Sequence, residues 1–379
     1  MAEDFSFARR KPRIEGIEME KKLPDLVIGD IVINPPIIQG GMGVRVSTAT
    51  LAAAVSNEGA FGVIASVGLG EEGRQDLKYE ERSRLALKDM IRETKQLTNR
   101  PFGVNIMCAL SNYDELAKTC AEEEVAAIIS GAGLPLHLPS LSDNPETKLI
   151  PIVSSGRAAE LICKTWLRRY NRLPDALVLE GPLAGGHIGF KFGEILSSEY
   201  PSLDNLLVDV ILAVKEFESS TNKKIPIIAG GGIFSGKDIA RILKLGTNGV
   251  QMATRFVCTY ECSVSQAYKD AYLKCTQDDI AVIMSPVGMP ARVIRNKFVE
   301  RIEAGEKMKF TCPYKCLKAC NPLIVNYCIA KALVNAYRGN LNEGYAMCGA
   351  NAYRVKKIVS VKELINELVN EAKNYLTNG

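Results

Sequence analysis

Ile225-Pro-Ile-Ile-Ala-Gly-Gly-Gly-Ile-Phe-Ser-Gly-Lys-Asp-Ile-Ala-Arg-Ile-Leu-Lys-Leu-Gly-Thr-Asn-Gly-Val-Gln-Met-Ala-Thr-Arg-Phe256 reads as strand, glycine turn, helix and strand. The β-branched run Ile225 to Ala229 suits a strand buried on both faces. Gly230, Gly231 and Gly232 at its carboxyl end leave the backbone uncovered. Ser235 and Asp238 open a helix whose Ile239, Ile242 and Leu243 share one stripe, and Gly246 stands where a left-handed cap ends it. The next strand, Gly249 to Met252, leads into Ala253, Thr254 and Arg255. Two neighbouring strand ends with free N–H groups, a Thr hydroxyl and helix N-termini make a site for a phosphate dianion. In a (β/α)8 barrel such a site follows strands seven and eight.

Upstream, the same alternation recurs. Pro35-Pro-Ile-Ile-Gln-Gly-Gly-Met-Gly43 reads as a first buried strand ending in another glycine turn, after a hairpin-like segment from Leu26. Ser47 or Thr48 can cap a helix Ala49 to Asn57, and Phe61-Gly-Val-Ile-Ala-Ser66 is the next strand. Strand starts at Ile37, Phe61, Phe102, Ala126, Leu149, Ala176, Ile225 and Gly249 give eight β-α repeats over roughly 240 residues, the length of a closed parallel barrel. An open doubly wound sheet is the alternative. The expected organisation is an arm over 1–23, a barrel over 24–275 and, over 276–379, a small, mostly helical C-terminal cap with a cysteine-rich segment. Helical patterns in the cap fall near Ile324 to Tyr337 and from Ser360 to Leu376, where Ser360 and Glu363 form a capping box. The fold class is α/β, a TIM barrel with that cap.

Composition narrows the partners. The chain of 379 residues is 47% hydrophobic, carries a net charge of +4 and has only 7% aromatic residues. With no long basic block, nothing suits a nucleic-acid groove. The charged first 22 residues lack an apolar run that could serve as a leader or membrane span, so a cytoplasmic protein without membrane contact is expected. Eleven cysteines, an odd number, suit reduced thiols better than a disulfide framework. A homodimer is the assembly left open.

Only two histidines are present. His187, in Glu180-Gly-Pro-Leu-Ala-Gly-Gly-His-Ile-Gly189, ends a strand where glycines let a flat ligand reach the backbone and the imidazole reach the ligand. His137, flanked by prolines in an apolar setting, is expected to pack.

Five blocks in order carry a family resemblance: Pro36-Ile-Ile-Gln-Gly-Gly-Met-Gly43, Phe102-Gly-Val-Asn105, Ala184-Gly-Gly-His-Ile-Gly189, Ala229-Gly-Gly-Gly-Ile233 and Gly249-Val-Gln-Met-Ala-Thr-Arg-Phe256. Over about residues 26 to 260 the chain resembles the nitronate monooxygenase (2-nitropropane dioxygenase) family, and the blocks are similar to those of the flavin-dependent enoyl-acyl-carrier-protein reductase. The resemblance implies an FMN-binding barrel. Gly41 and Met42 would approach the flavin ring and Asn105 would hydrogen-bond it. Gly186, Gly231, Gly232 and Thr254 would hold the phosphate, with Gln251, Met252 and Ala253 lining the same strand end, and His187 falls at the catalytic histidine. The absence of a Gly-x-Gly-x-x-Gly fingerprint after a strand agrees with FMN rather than a dinucleotide. The implied activity is oxidation of alkyl nitronates with dioxygen. The alternatives are an NAD(P)H-dependent enoyl-thioester reductase, whose carrier protein would meet Arg292, Arg295, Lys297, Lys307 and Lys309, and a flavin or metal-cluster electron carrier without turnover.

The tail places Cys312, Cys316 and Cys320 four residues apart, followed by Cys328 and Cys348. On a helix the first three thiols would share a face. Buried or reactive free thiols are the expectation, with zinc or an iron–sulfur cluster on Cys316, Cys320, Cys328 and Cys348 as the alternative. The segment from Cys348 to Arg354 could instead return to the active site.

Overall fold

A computed structural model of the chain describes residues 22–72, 76–142, 144–312 and 314–378, so residues 1–21 of the expected arm lie outside the described residues. Its centre is a ring of parallel strands: β1 (Ile37–Gln39), β2 (Gly62–Ala65), β3 (Phe102–Met107), β4 (Ala127–Gly131), β5 (Lys148–Val153), β6 (Leu177–Glu180), β7 (Ile227–Gly230) and β8 (Gly249–Met252). The spatial order is β1-β8-β7-β6-β5-β4-β3-β2. A parallel bridge between Ile38 and Phe61 joins the two ends, with Gln39 N–H donating to Phe61 O and Phe61 N–H to Ile37 O, both at 2.9 Å. The sheet is therefore closed, which decides between the barrel and the open sheet.

Side chains alternate across each strand, and both faces are apolar because both are buried. Ile38, Val63, Ile129, Ile150, Val178 and Ile228 fill the barrel. Strands Leu26–Ile28 and Ile31–Ile33 form an antiparallel hairpin whose Leu26, Ile28, Ile31 and Ile33 join that cluster and plug the amino-terminal mouth. The other face meets helices α1 (Ala49–Asn57), α2 (Tyr79–Leu97), α3 (Tyr113–Glu122), α4 (Gly156–Tyr170), α5 (Leu203–Thr221) and α6 (Gly236–Lys244). Thr48 is the N-cap of α1, but its side chain does not cap and its hydroxyl lies 2.6 Å from Ser263 Oγ instead. Between β4 and β5 the chain makes only a short 3-10 turn, Leu138–Leu141.

The tail divides differently from the simple cap. Helix α7 (Ile329–Tyr337) lies over the carboxyl face, but α8 (Val361–Asn378) packs against α6 and α1 and so occupies the place of an eighth barrel helix. Gly236 admits it, since a Cβ there would collide with Leu368 O. Glu371 Oε2 accepts from Gly236 N–H at 2.8 Å, and Arg255 pairs with Glu367 at 2.7 Å. Strands Ile280–Met284 and Pro290–Ile294 form a hairpin around the irregular turn Ser285 to Met289, and Gly186–His187 adds to its edge. The segment with Cys312, Cys316 and Cys320 is not helical, so those thiols share no helix face. No helix among the described residues is long and apolar enough to cross a membrane.

Candidate active site

At the carboxyl end of β7 the chain turns through Gly231 and Gly232, at φ +99° and +84°, a region that favours glycine. A Cβ on Gly231 would stand 2.9 Å from Gly181 O and 3.2 Å from Ala184 N, so the missing side chain lets this turn nest against the loop after β6. Among the described residues, neither the Gly231 nor the Gly232 N–H has an acceptor. Thr254 Oγ1, at the end of β8, accepts from Gly349 N–H at 3.1 Å and keeps its own hydrogen to donate. Asn351 Nδ2 donates to Gly232 O at 2.7 Å, so the loop from Cys348 does return to this site.

The helix N-terminus does not have the part expected of it. Asp238 Oδ2 accepts from Phe234 and Ser235 N–H at 3.0 and 2.9 Å, and Glu371 takes Gly236 N–H, so the first donors of α6 are already satisfied by carboxylates. The remaining donors form a cradle of glycine backbone and hydroxyl. Arg292 stands behind it, buried, donating to Pro182 O at 3.0 Å and to Ala184 O. Among the described residues its guanidinium bonds are to backbone carbonyls rather than to a carboxylate, and burial lowers its pKa. A buried unpaired cation favours a dianion nearby. For the same reason Arg292 is not part of a basic surface rim, and Arg295 is already paired with Glu303 at 2.9 Å.

The second glycine turn follows β1. Gln39 Oε1 accepts from Val63 N–H at 3.1 Å while its Nε2 donates to Ser47 Oγ at 2.8 Å. Ser47 Oγ also accepts from Met42 N–H at 3.0 Å, which fixes Gly40 to Met42. A Cβ on Gly41 would collide with the Asn105 side chain, and one on Gly40 would press Gln251 at 3.2 Å. Gly41, Met42, Asn105, Gly186, His187, Gly231, Gly232, Gln251, Met252, Ala253 and Thr254 all line one cavity of about 230 Å³. The structure thus brings together every residue expected at the flavin and catalytic positions.

His187 reaches the cavity from a two-residue strand, opposite Ala291 of the tail hairpin. Its Nε2 lies 2.9 Å from Ser285 Oγ, and that oxygen also accepts from Val287 N–H at 3.1 Å. The Ser285 hydroxyl can therefore donate to Nε2, which would leave the ring proton on Nδ1. The ring keeps some exposed surface because it opens into the cavity, but loss of solvent pushes its pKa down to about 4. It is a neutral imidazole at physiological pH. Glu180, which sequence reasoning did not assign to the site, ends β6 opposite Gly230 and faces the same cavity. Burial pushes its carboxyl up to about 7. Its signal in the sequence is an acid closing an otherwise apolar strand.

His137 is not at this cavity. Its Nε2 lies 2.9 Å from Asp114 Oδ1, with the ring edge-on to Tyr113. All eleven cysteines are free. Cys348 does not join Cys316, Cys320 and Cys328, because it is buried against Gly185. Among the described residues, no three His, Cys, Asp or Glu side chains are placed to hold a metal ion.

With this geometry in place, residues 25–130 and 111–371 match the model of the nitronate monooxygenase family. The chain belongs to that family. As a nitronate monooxygenase family member it is a flavin-dependent oxidoreductase, which sets aside a carrier without turnover. A Pseudomonas aeruginosa nitronate monooxygenase is 29% identical over 299 residues, 70% of this chain and 78% of that protein. A Mycobacterium tuberculosis protein named (3aS,4S,5R,7aS)-5-hydroxy-7a-methyl-1-oxo-octahydro-1H-indene-4-carboxyl-CoA dehydrogenase is 29% identical over 279 residues, 74% of this chain and 68% of its own. Among solved structures, FabK from Thermotoga maritima is 32% identical with a TM-score of 0.71, covering 91% of this chain and 94% of its own.

Proposed function

We propose that this family member binds FMN without a covalent link and oxidises alkyl nitronates, with His187 as the catalytic residue. The observation that carries the reading is the one cavity shared by both glycine turns, Asn105, Glu180 and His187. The cradle suits a phosphate: two N–H groups without acceptors, a hydroxyl with a free hydrogen and a buried cation behind them. The chemistry supplied by bound flavin is electron transfer from the nitronate and onward to dioxygen.

The other tasks fall to the chain. Gly41, Met42 and Asn105 would approach the ring, and Gln251, Met252 and Ala253 would line the strand end beside the phosphate residues. His187 can donate one hydrogen bond to a nitro oxygen or take up a proton, and a positioned acid or base contributes roughly 10²–10⁴ in rate. Glu180, titrating near pH 7, can hold or release a second proton. Leu317, Ile329 and Leu333 wall the cavity and exclude water.

A second reading, reduction of an enoyl thioester by NAD(P)H, is favoured by one feature. No Lys or Arg lines the cavity, so an uncharged acyl chain fits the apolar wall as well as a small anion does. Anaerobic mixing of FMN-loaded protein with propyl nitronate, NADH or NADPH separates the two. Bleaching of the flavin by nitronate alone supports the first. Fast bleaching by a nicotinamide, reversed by an enoyl thioester, supports the second. No bleaching by any of the three overturns both.

A further inference from the structure

Four thiols that the proposed chemistry does not use line a second cavity of about 310 Å³: Cys312, Cys316, Cys320 and Cys328. Cys316, Leu317 and Ile329 also line the active-site cavity, so these side chains divide the two spaces. The four thiols thus open onto one space in the wall of the fold.

The backbone around them is also unusual. From Glu306 to Cys328 the described chain has no helix or strand, only an isolated bridge between Leu317 and Leu110. Ser111 N–H donates to Cys316 O at 3.0 Å and Lys318 N–H to Ala109 O at 2.9 Å, which pins Cys316 against the loop after β3. Irregular segments of this length within a compact fold are uncommon unless they serve a function. A cross-link through the thiols would hold this one in place.

A single zinc ion requires its sulfurs about 2.3 Å from one point, and the described residues offer no such convergence. Four thiols distributed around a cavity wall instead suit a larger, polynuclear ligand. We infer that Cys312, Cys316, Cys320 and Cys328 ligate a 4Fe–4S cluster beside the active-site cavity, with Cys316 between the two. Each cysteine binds iron as the thiolate, so four thiol protons leave on ligation. The inference stands on the thiols alone and does not require the flavin reading.

The test is iron and acid-labile sulfide analysis of the full chain purified without oxygen, or reconstituted with ferrous iron, ferric iron and sulfide. About four of each per chain are expected for a cubane held by four cysteines, with visible absorbance bleached by dithionite. Cys312→Ser and Cys320→Ser should each lose most of the iron while circular dichroism stays unchanged, since neither residue lies in a helix or strand. Cys348→Ser, away from the second cavity, should keep it. Reconstituted parent protein with no iron overturns the inference. So does protein holding zinc or disulfides at these four positions, or loss of iron from Cys348→Ser but not from Cys312→Ser.

Discussion

His187 and Glu180 face one cavity, and burial moves them in opposite directions: the imidazole down from 6.5 to about 4 and the carboxyl up from 4.5 to about 7. Both groups are pushed toward their neutral forms, which suits an apolar site that holds protons rather than charges. The consequences for flavin-free protein have definite signs. Glu180 contributes stability that is full below about 4.5 and lost as pH rises through about 7. His187 contributes stability that is present above 6.5 and lost as pH falls toward about 4. Above pH 6.5 only the Glu180 effect operates, so thermal midpoints of the parent should fall between pH 6.5 and 8 and those of Glu180→Gln should stay flat. Equal slopes in the two proteins would show that Glu180 is not buried as described. His187→Ala should bind FMN as the parent does but lose about 10²–10⁴ of turnover, while His137→Ala, which removes only contacts with Asp114 and Tyr113 away from the cavity, should keep it. Stopped-flow half-reactions on both variants read the difference, and a fully active His187→Ala would remove the imidazole from the mechanism.

At the level of elements, the sequence was most legible where two signals coincide. The short runs starting at Phe102 and Gly249 are β3 and β8, and Ser235 with Asp238 marked the start of α6, where the full capping box is present. What periodicity could not reveal was partnership. An amphipathic pattern over Ser360 to Leu376 shows that a helix buries one face, but not that the face lies on α6 and α1 rather than over the cap. Arg292 was misleading for a similar reason: a charge in a basic stretch looks exposed until the hairpin folds it under the loop at Pro182. Because α8 completes the barrel, its core residues should matter as barrel residues do. Leu368 is fully buried, so Leu368→Ala should cost about 2–5 kcal/mol, and Ser235→Ala about 1 kcal/mol through loss of the cap. Urea unfolding measures both, and a Leu368→Ala cost below about 1 kcal/mol would contradict the packing of α8 on α6.

For the whole molecule, the closed ring of eight parallel strands follows from the alternation of strand and helix along the chain, and the cavity lies at its carboxyl face. The residues beneath that cavity were readable because backbone approach demands glycine at fixed places. Gly231 and Gly41 are two such places, where a Cβ would meet the neighbouring loop or Asn105. Glu180 and the four-thiol cavity were less readable because their meaning depends on burial and on contacts distant in sequence. The central claim is that these glycine turns hold the phosphate of FMN. Its most direct measurement is calorimetric titration of flavin-free protein with FMN and with riboflavin, which lacks only the phosphate. Two charge-assisted hydrogen bonds of about 1.5 kcal/mol or more each predict FMN at least about 100-fold tighter, at one site per chain. Equal affinity for the two ligands would contradict the account.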